Sequence, residues 1–194
     1  MSTDKFLLVG DPHGDFDGLR KLAKDNEFQK IISLGDTGFS KDLTYSDFYN
    51  ETYIDSVFGN HDEYNAYFGE SGKLGSYYRV MWFNNKRLFI LGGAKTPVEH
   101  RDKTWDSREE MSYDELYKTY EIFLNLQPSI LVTHDGPISL IRRHFSPTYD
   151  SLTSVFVEMM VNHSFVERHF FGHWHRNFAS GKSICLDKMQ TMEI

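Results

Sequence analysis

Cysteine is almost missing from this 194-residue chain: Cys185 stands alone, so no intramolecular disulfide can staple the fold. A lone thiol fits a reducing compartment, and a cytoplasmic location is expected. Long apolar runs are missing too. The longest, Leu88 to Ala94 with its glycines, is far short of the ~20 residues that cross a bilayer. Met1 to Gly10 carries one lysine and no cleavable signal pattern. No repeat, low-complexity tract or Pro/Gly/Ser linker interrupts the chain. One domain over residues 1–194 is therefore expected, long enough to bury roughly 70% of its unfolded surface. Positive charge is also scarce. Lys+Arg number 21 against 28 Asp+Glu, a formal net charge of −7, and repulsion disfavours nucleic acid and anionic membranes as partners. What the chain has in excess is histidine, nine in all, and histidine is the commonest metal ligand.

Six short apolar stretches end in glycine or in a polar, ligand-type residue. They are Phe6–Val9 before Gly10, Ile31–Leu34 before Gly35-Asp36, and Tyr53–Phe58 before Gly59-Asn60. Arg87–Leu91 runs into Gly92-Gly93, Ser129–Thr133 into His134-Asp135-Gly136, and His169–Phe171 into Gly172. Each reads as a buried strand followed by a turn. Between them, Leu19, Leu22 and Ala23 sit at helical spacing. A capping box, Ser112 with Glu115, opens a second helix carrying Leu116, Tyr120, Phe123 and Leu124 on one face. A third follows Asp150, with Leu152, Val155, Phe156, Met159 and Met160 in a stripe expected to face a core. Short buried strands alternating with such helices predict an α/β domain, with its site at the carboxyl ends of strands. Residues 64–85, 95–111 and 137–149 read as loops or insertions.

The strand ends carry Asp11-Pro12-His13, Gly35-Asp36, Gly59-Asn60-His61-Asp62, His134-Asp135 and Gly172-His173-Trp174-His175. Five of the nine histidines fall in these turns. Asp11/His13 and His173/His175 are i, i+2 pairs, which in extended backbone project to one side and can grip one ion. Mixed carboxylate, imidazole and amide donors suit Mn, Fe, Zn or Ni rather than a thiolate site. Each fragment alone is an ordinary turn; five in one order, each ending a predicted strand, are not.

That order, from Asp11 to His175, resembles the calcineurin-like metallophosphoesterase family, and every ligand-type position of the family pattern is occupied. The resemblance implies a four-layer αββα sandwich of two mixed β-sheets flanked by helices, with two divalent metal ions at one edge. Asp11, His13 and His175 would hold the first ion; Asn60, His134 and His173 would hold the second; Asp36 would bridge them. His61 would protonate the leaving oxygen after attack by a metal-bound hydroxide, with Asp62 or another nearby carboxylate orienting its ring. Manganese is the ion expected to support activity in assay.

The implied substrate is a small phosphate ester or nucleotide, monoester or diester. Protein Ser/Thr phosphatases and bis-nucleoside tetraphosphatases of this superfamily read Gly-Asp-x-Val-Asp-Arg-Gly. This chain reads Gly35-Asp36-Thr37-Gly38-Phe39-Ser40 and lacks that arginine; it looks closer to the small phosphodiesterase-like branch. A protein-phosphatase-like or nucleotide phosphatase activity stays as an alternative. So does a non-catalytic protein-binding scaffold, which would show broken ligand positions, and none is broken. Arg101, Arg142 and Arg143 are the candidate phosphate contacts, since arginine suits bidentate binding. Tyr77, Tyr78, Trp82 and Trp105 read as core aromatics or as walls of the site. His100, His144, His163 and His169 have no motif partner and read as surface or structural residues.

Overall fold

All four residues of Phe6–Val9 (β1) are buried, but their side chains alternate between two surroundings. Phe6 and Leu8 join one apolar cluster, Leu7 and Val9 another. A strand apolar on both faces needs cover on both, and this one requirement, repeated along the chain, builds four layers. The computed structural model describes residues 5–24, 28–69, 76–97 and 106–194.

One sheet contains β1, Lys30–Ser33 (β2), Asp55–Ser56 (β3) and the late strand Thr191–Glu193 (β10) in the order β10-β1-β2-β3. The other contains Tyr78–Phe83 (β4), Lys86–Leu91 (β5), Ile130–Thr133 (β6), Arg168–Phe171 (β7), Phe178–Ser180 (β8) and Ser183–Cys185 (β9) in the order β4-β5-β6-β7-β9-β8. β1, β2 and β3 are mutually parallel with β10 antiparallel; β5, β6, β7 and β9 are parallel with β4 and β8 antiparallel. Both sheets are therefore mixed. Their facing sides share one core, with Leu8, Ile32 and Val57 against Leu88, Ile90, Val132 and Phe170. Behind the first sheet pack the helices Phe16–Lys24 (α1), Tyr45–Thr52 (α2) and Tyr64–Phe68 (α3), through Leu19, Phe48 and Tyr67. Behind the second pack Tyr113–Leu126 (α4) and Leu152–Val161 (α6), through Leu116, Phe123, Phe156 and Met160. Ile138–His144 (α5) covers the end nearest the late strands through Ile141. This is the αββα sandwich that the motif order implied.

Both halves of the Ser112–Glu115 capping box form at the start of α4. Other expectations change. Tyr53 is the left-handed C-cap of α2, so only Asp55–Ser56 of the predicted Tyr53–Phe58 strand pairs in a sheet. The stretches read as loops contain α3, β4 and α5, whose short lengths and aromatic content hide their periodicity. The α6 stripe divides: Phe156 and Met160 are buried, whereas Leu152, Val155 and Met159 are each at least 40% exposed. Thr153, Ser154 and Val157 take the buried places, because the helix is pinned along its other edge between α4 and the sheet. No helix among the described residues is long and apolar enough to cross a membrane.

A buried polar cluster ties the two sheets together away from the turns. Arg79 on β4 meets Asp55 on β3 at 2.6 Å, and Lys30 reaches the same carboxylate at 2.8 Å. Tyr45 donates its hydroxyl to Asp55 Oδ1 at 2.8 Å. Asp55 is only 6% exposed. Removing one partner of a buried pair strands the other charge away from water. Asp55→Ala is therefore expected to cost about 3–5 kcal/mol in urea unfolding. A loss below about 1 kcal/mol would mean that water reaches and solvates Arg79.

Candidate metal centre

Because β1, β2 and β3 run parallel, as do β6 and β7, the turns after them gather at one edge of the sandwich. Hydrogen bonds between turns lock that edge. His13 donates its backbone N–H to the Asp36 carbonyl at 2.8 Å, and Gly172 donates to the His134 carbonyl at 3.1 Å. The His173 N–H donates to Asp11 Oδ2 at 2.6 Å. Four of the gathered residues, His13, Asp36, His173 and His175, have left-handed backbone, with φ of 46°, 49°, 66° and 46°. Such conformations cost of order 1–3 kcal/mol each in non-glycine residues and persist only where surroundings over-determine them. Two glycines allow the close approach. A Cβ on Gly172 would lie 2.0 Å from Asp11 Oδ1, and one on Gly59 would lie 2.2 Å from Asp36 Oδ1. Glycine directly before His173 and before Asn60 is thus a steric condition for bringing the carboxylates in.

Two donor groups result, sharing one residue. Asp11, His13, Asp36 and His175 form the first; Asp36, His134 and His173 form the second, with the donor atoms of each group within 4.8 Å of one another. In the first, the Nε2 atoms of His13 and His175 lie 2.7 Å apart, and His175 Nε2 is 3.3 Å from Asp11 Oδ2. In the second, His134 Nε2 is 3.2 Å from Asp36 Oδ1 and 3.1 Å from Asn60 Oδ1. Asp36 faces both ways, because its Oδ2 lies 3.7 Å from His13 Nε2 in the first group. The His173/His175 pair, read from its spacing as gripping one ion, is split between the groups. Both residues are left-handed rather than extended, so their side chains diverge.

The donor set fits cations. Asp11 Oδ1 and Asp36 Oδ2 are buried without a hydrogen-bond partner, and an orphaned buried carboxylate oxygen is costly unless something positive meets it. The His134 Nδ1 lies 2.7 Å from the Leu34 carbonyl oxygen. A carbonyl only accepts, so Nδ1 carries the proton and Nε2 is the atom turned to the site. Burial alone would push His134 down, but the adjoining Asp36 carboxylate outweighs it and raises the ring above its ordinary value. Burial would likewise raise Asp36, yet the His134 charge holds it well below the usual carboxylate range. The mutual attraction of His134 and Asp36 reflects the negative potential that the buried carboxylates create here, which a bound cation would relieve. His173 is pushed well below its ordinary value, first by burial and then by the His134 charge, and is neutral. Neutral imidazole is the form that binds a cation.

The residues around the two groups are less legible in the sequence. Asp62 does not orient the His61 ring. Its Oδ1 accepts the N–H groups of Gly38 and Phe39 at 2.8 and 3.1 Å, and its Oδ2 accepts that of Gly59 at 3.0 Å. Burial, then the Asp36 charge, push Asp62 up to about 7. Its work is to tie the Asp36 turn to the Asn60 turn. Asp135 accepts from Tyr149 Oη at 2.8 Å and from Trp174 Nε1 at 3.2 Å, bracing the His173-Trp174-His175 turn. His169 is structural: fully buried, between Thr133 and Ser183, and lowered by burial to about 3.

A cleft of about 670 Å³ opens over the two groups. Asn60, His61, His173 and His175 line it, together with Phe145, Trp174 and Arg176. The His61 ring belongs to neither donor group; its centroid is 5.3 Å from that of His13, and its backbone N–H donates to Asp36 Oδ1 at 2.8 Å. Arg142 and Arg143 do not line this cleft. Arg142 donates to the Tyr149 carbonyl at 2.8 Å, and Arg143 lines a separate cavity beside α6. Arg101 and Trp105 lie outside the described residues, as does His100. Tyr77 and Tyr78 pack in cores, and Trp82 is exposed on β4 under Arg87. The cleft arginine that sequence reasoning missed is Arg176. Its place immediately after the last motif histidine was the available signal.

Residues 4–177 match the family described as calcineurin-like phosphoesterase. Among solved structures, the chain is similar to a putative 5'-nucleotidase from Staphylococcus aureus, at 15% identity and a TM-score of 0.61. That match covers 99% of this chain and half, 50%, of the other. It is also similar to the protein TT1561 of Thermus thermophilus, at 14% identity, a TM-score of 0.54, and 97% and 91% coverage. A phosphatase from Mycoplasma pneumoniae matches at 15% identity and a TM-score of 0.52, over 95% of this chain and 71% of that one. At these identities the structures speak for the fold alone. No curated protein matches the chain in sequence.

Proposed function

Since this chain belongs to the calcineurin-like phosphoesterase family, a family of metal-dependent phosphoric ester hydrolases, we propose that it cleaves small phosphate esters with two divalent cations. The observation that carries this reading is Asp36, a fully buried carboxylate whose two oxygens face different donor groups. Asp11, His13 and His175 would hold one cation, Asn60, His134 and His173 the other, and Asp36 both. When bound, such a pair supplies charge neutralisation for the phosphoryl oxygens and a water acidic enough to ionise near neutral pH.

The chain's own side chains do the rest. His61, lining the cleft and outside both donor groups, holds the proton that the leaving oxygen needs. Its backbone is fixed by Asp36, so the ring has a defined origin relative to the phosphate. Arg176, lining the same cleft and 5.7 Å from the Phe145 ring centroid, offers a cation for a phosphoryl or second anionic group. Phe145 and Trp174, stacked at 5.5 Å, give that side of the cleft an apolar surface. A cleft of about 670 Å³ admits far more than a phosphate, which favours substrates with a sizeable organic group, diesters and nucleotides included.

The test is metal titration of chelator-treated protein by calorimetry, with hydrolysis of p-nitrophenyl phosphate and bis-p-nitrophenyl phosphate under added Mn²⁺. Two ions per chain with turnover is the expected result, and the ratio of the two rates assigns monoester or diester preference. Neither uptake nor turnover would overturn the reading and leave the protein-binding scaffold in its place.

A further inference from the structure

An asparagine can serve a cation with only one of its two terminal atoms. Oδ1 has lone pairs, whereas Nδ2 carries two protons and repels positive charge; turning the amide over exchanges them at almost no steric cost. Something must therefore choose the face that Asn60 presents. Its Nδ2 donates to Thr96 Oγ1 at 3.0 Å. Thr96 spends its single hydroxyl proton on Glu109 Oε2 at 2.6 Å, and its backbone N–H donates to Glu109 Oε1 at 2.9 Å. Thr96 is 7% and Glu109 4% exposed. A threonine hydroxyl whose proton is held by a carboxylate can only accept from its other neighbours. Hence only the NH₂ half of Asn60 can face it, and Oδ1 is turned toward His134 Nε2 at 3.1 Å.

We propose that Glu109, acting through Thr96, is a positioning residue that fixes the amide of Asn60 with its oxygen toward the second cation. This rests on Asn60 being a ligand, as argued above. Neither residue belongs to any of the strand-end motifs. Glu109 comes from a single 3-10 turn at Ser107–Glu109, and Thr96 from the stretch after β5. Their carboxylate and hydroxyl order protons in the way that outer partners commonly orient metal ligands, a contribution of about 10–100-fold in affinity.

Thr96→Val removes the acceptor at nearly constant volume, and Thr96→Ser keeps it. Glu109→Gln replaces a pure acceptor with an amide that can donate to Thr96, freeing the hydroxyl proton to face Asn60. Calorimetric titration with Mn²⁺ should find two ions in the wild type. Thr96→Val and Glu109→Gln should weaken one of them by about 10–100-fold and leave the other unchanged. Thr96→Ser should bind both as the wild type does. A merely structural loss would lower the thermal midpoint and weaken both ions together. Wild-type uptake of two ions with unchanged binding by Thr96→Val overturns this inference alone, as does a Thr96→Ser variant as weak as Thr96→Val. Wild-type uptake of fewer than two ions overturns the two-cation reading, and this inference with it. Should Glu109→Gln fail to fold, the valine and serine pair still decides.

Discussion

Asp36→Asn is expected to strip both cations from the protein and to lower kcat/KM for bis-p-nitrophenyl phosphate by more than about 10⁴-fold, since each cation contributes several kcal/mol to the transition state. The size follows from geometry. Among the described histidines, cysteines and carboxylates, Asp36 is the one that belongs to both donor groups, and the change keeps shape while removing the charge. An amide can still accept the His61 N–H that Asp36 Oδ1 now accepts at 2.8 Å, so the turn itself should survive. Metal content after dialysis, with circular dichroism to show folded protein, checks the result. A folded variant that retains two ions at wild-type affinity would refute the shared role.

His61→Ala should behave in the opposite way, keeping both ions while losing rate selectively. The ring contributes no atom to either donor group, so uptake should match the wild type. For esters with alkoxide leaving groups, loss of a positioned acid should cost about 10²–10⁴-fold in kcat. Nitrophenolate departs without a proton, and its esters should slow far less. Equal slowing of alkyl and nitrophenyl esters would remove His61 from the role of acid. The two variants together separate holding a cation from handling a proton.

How much of this was legible beforehand depends on the range over which each feature is encoded. The strand–turn units were readable because apolar runs such as Phe6–Val9 or Ile130–Thr133 are buried on both faces and need no periodicity to be seen. Glycines 59 and 172 were visible as motif letters, although their reason, the approach of Asp36 and Asp11, was not. β4, whose burial alternates irregularly, and the three-residue strands β8, β9 and β10 left no comparable mark. Among charged residues, adjacency in sequence misled. Arg142 and Arg143 sit on α5 near a motif but turn away from the cleft, and Arg176 lines it. Asp62 adjoins His61 and yet binds three backbone N–H groups.

The sequence by itself determined the family and the α/β class and named the candidate donors, because strand, turn and glycine requirements are settled within about ten residues of chain. Tertiary structure alone decided how those donors are shared. It placed Asp36 between two groups, separated His173 from His175 by left-handed backbone, and brought Thr96 and Glu109 to Asn60. These arrangements depend on contacts such as His13 with His175, 162 positions apart, and His134 with Leu34, 100 apart. Local preference carries no record of such distances; the packing of two sheets onto one core does.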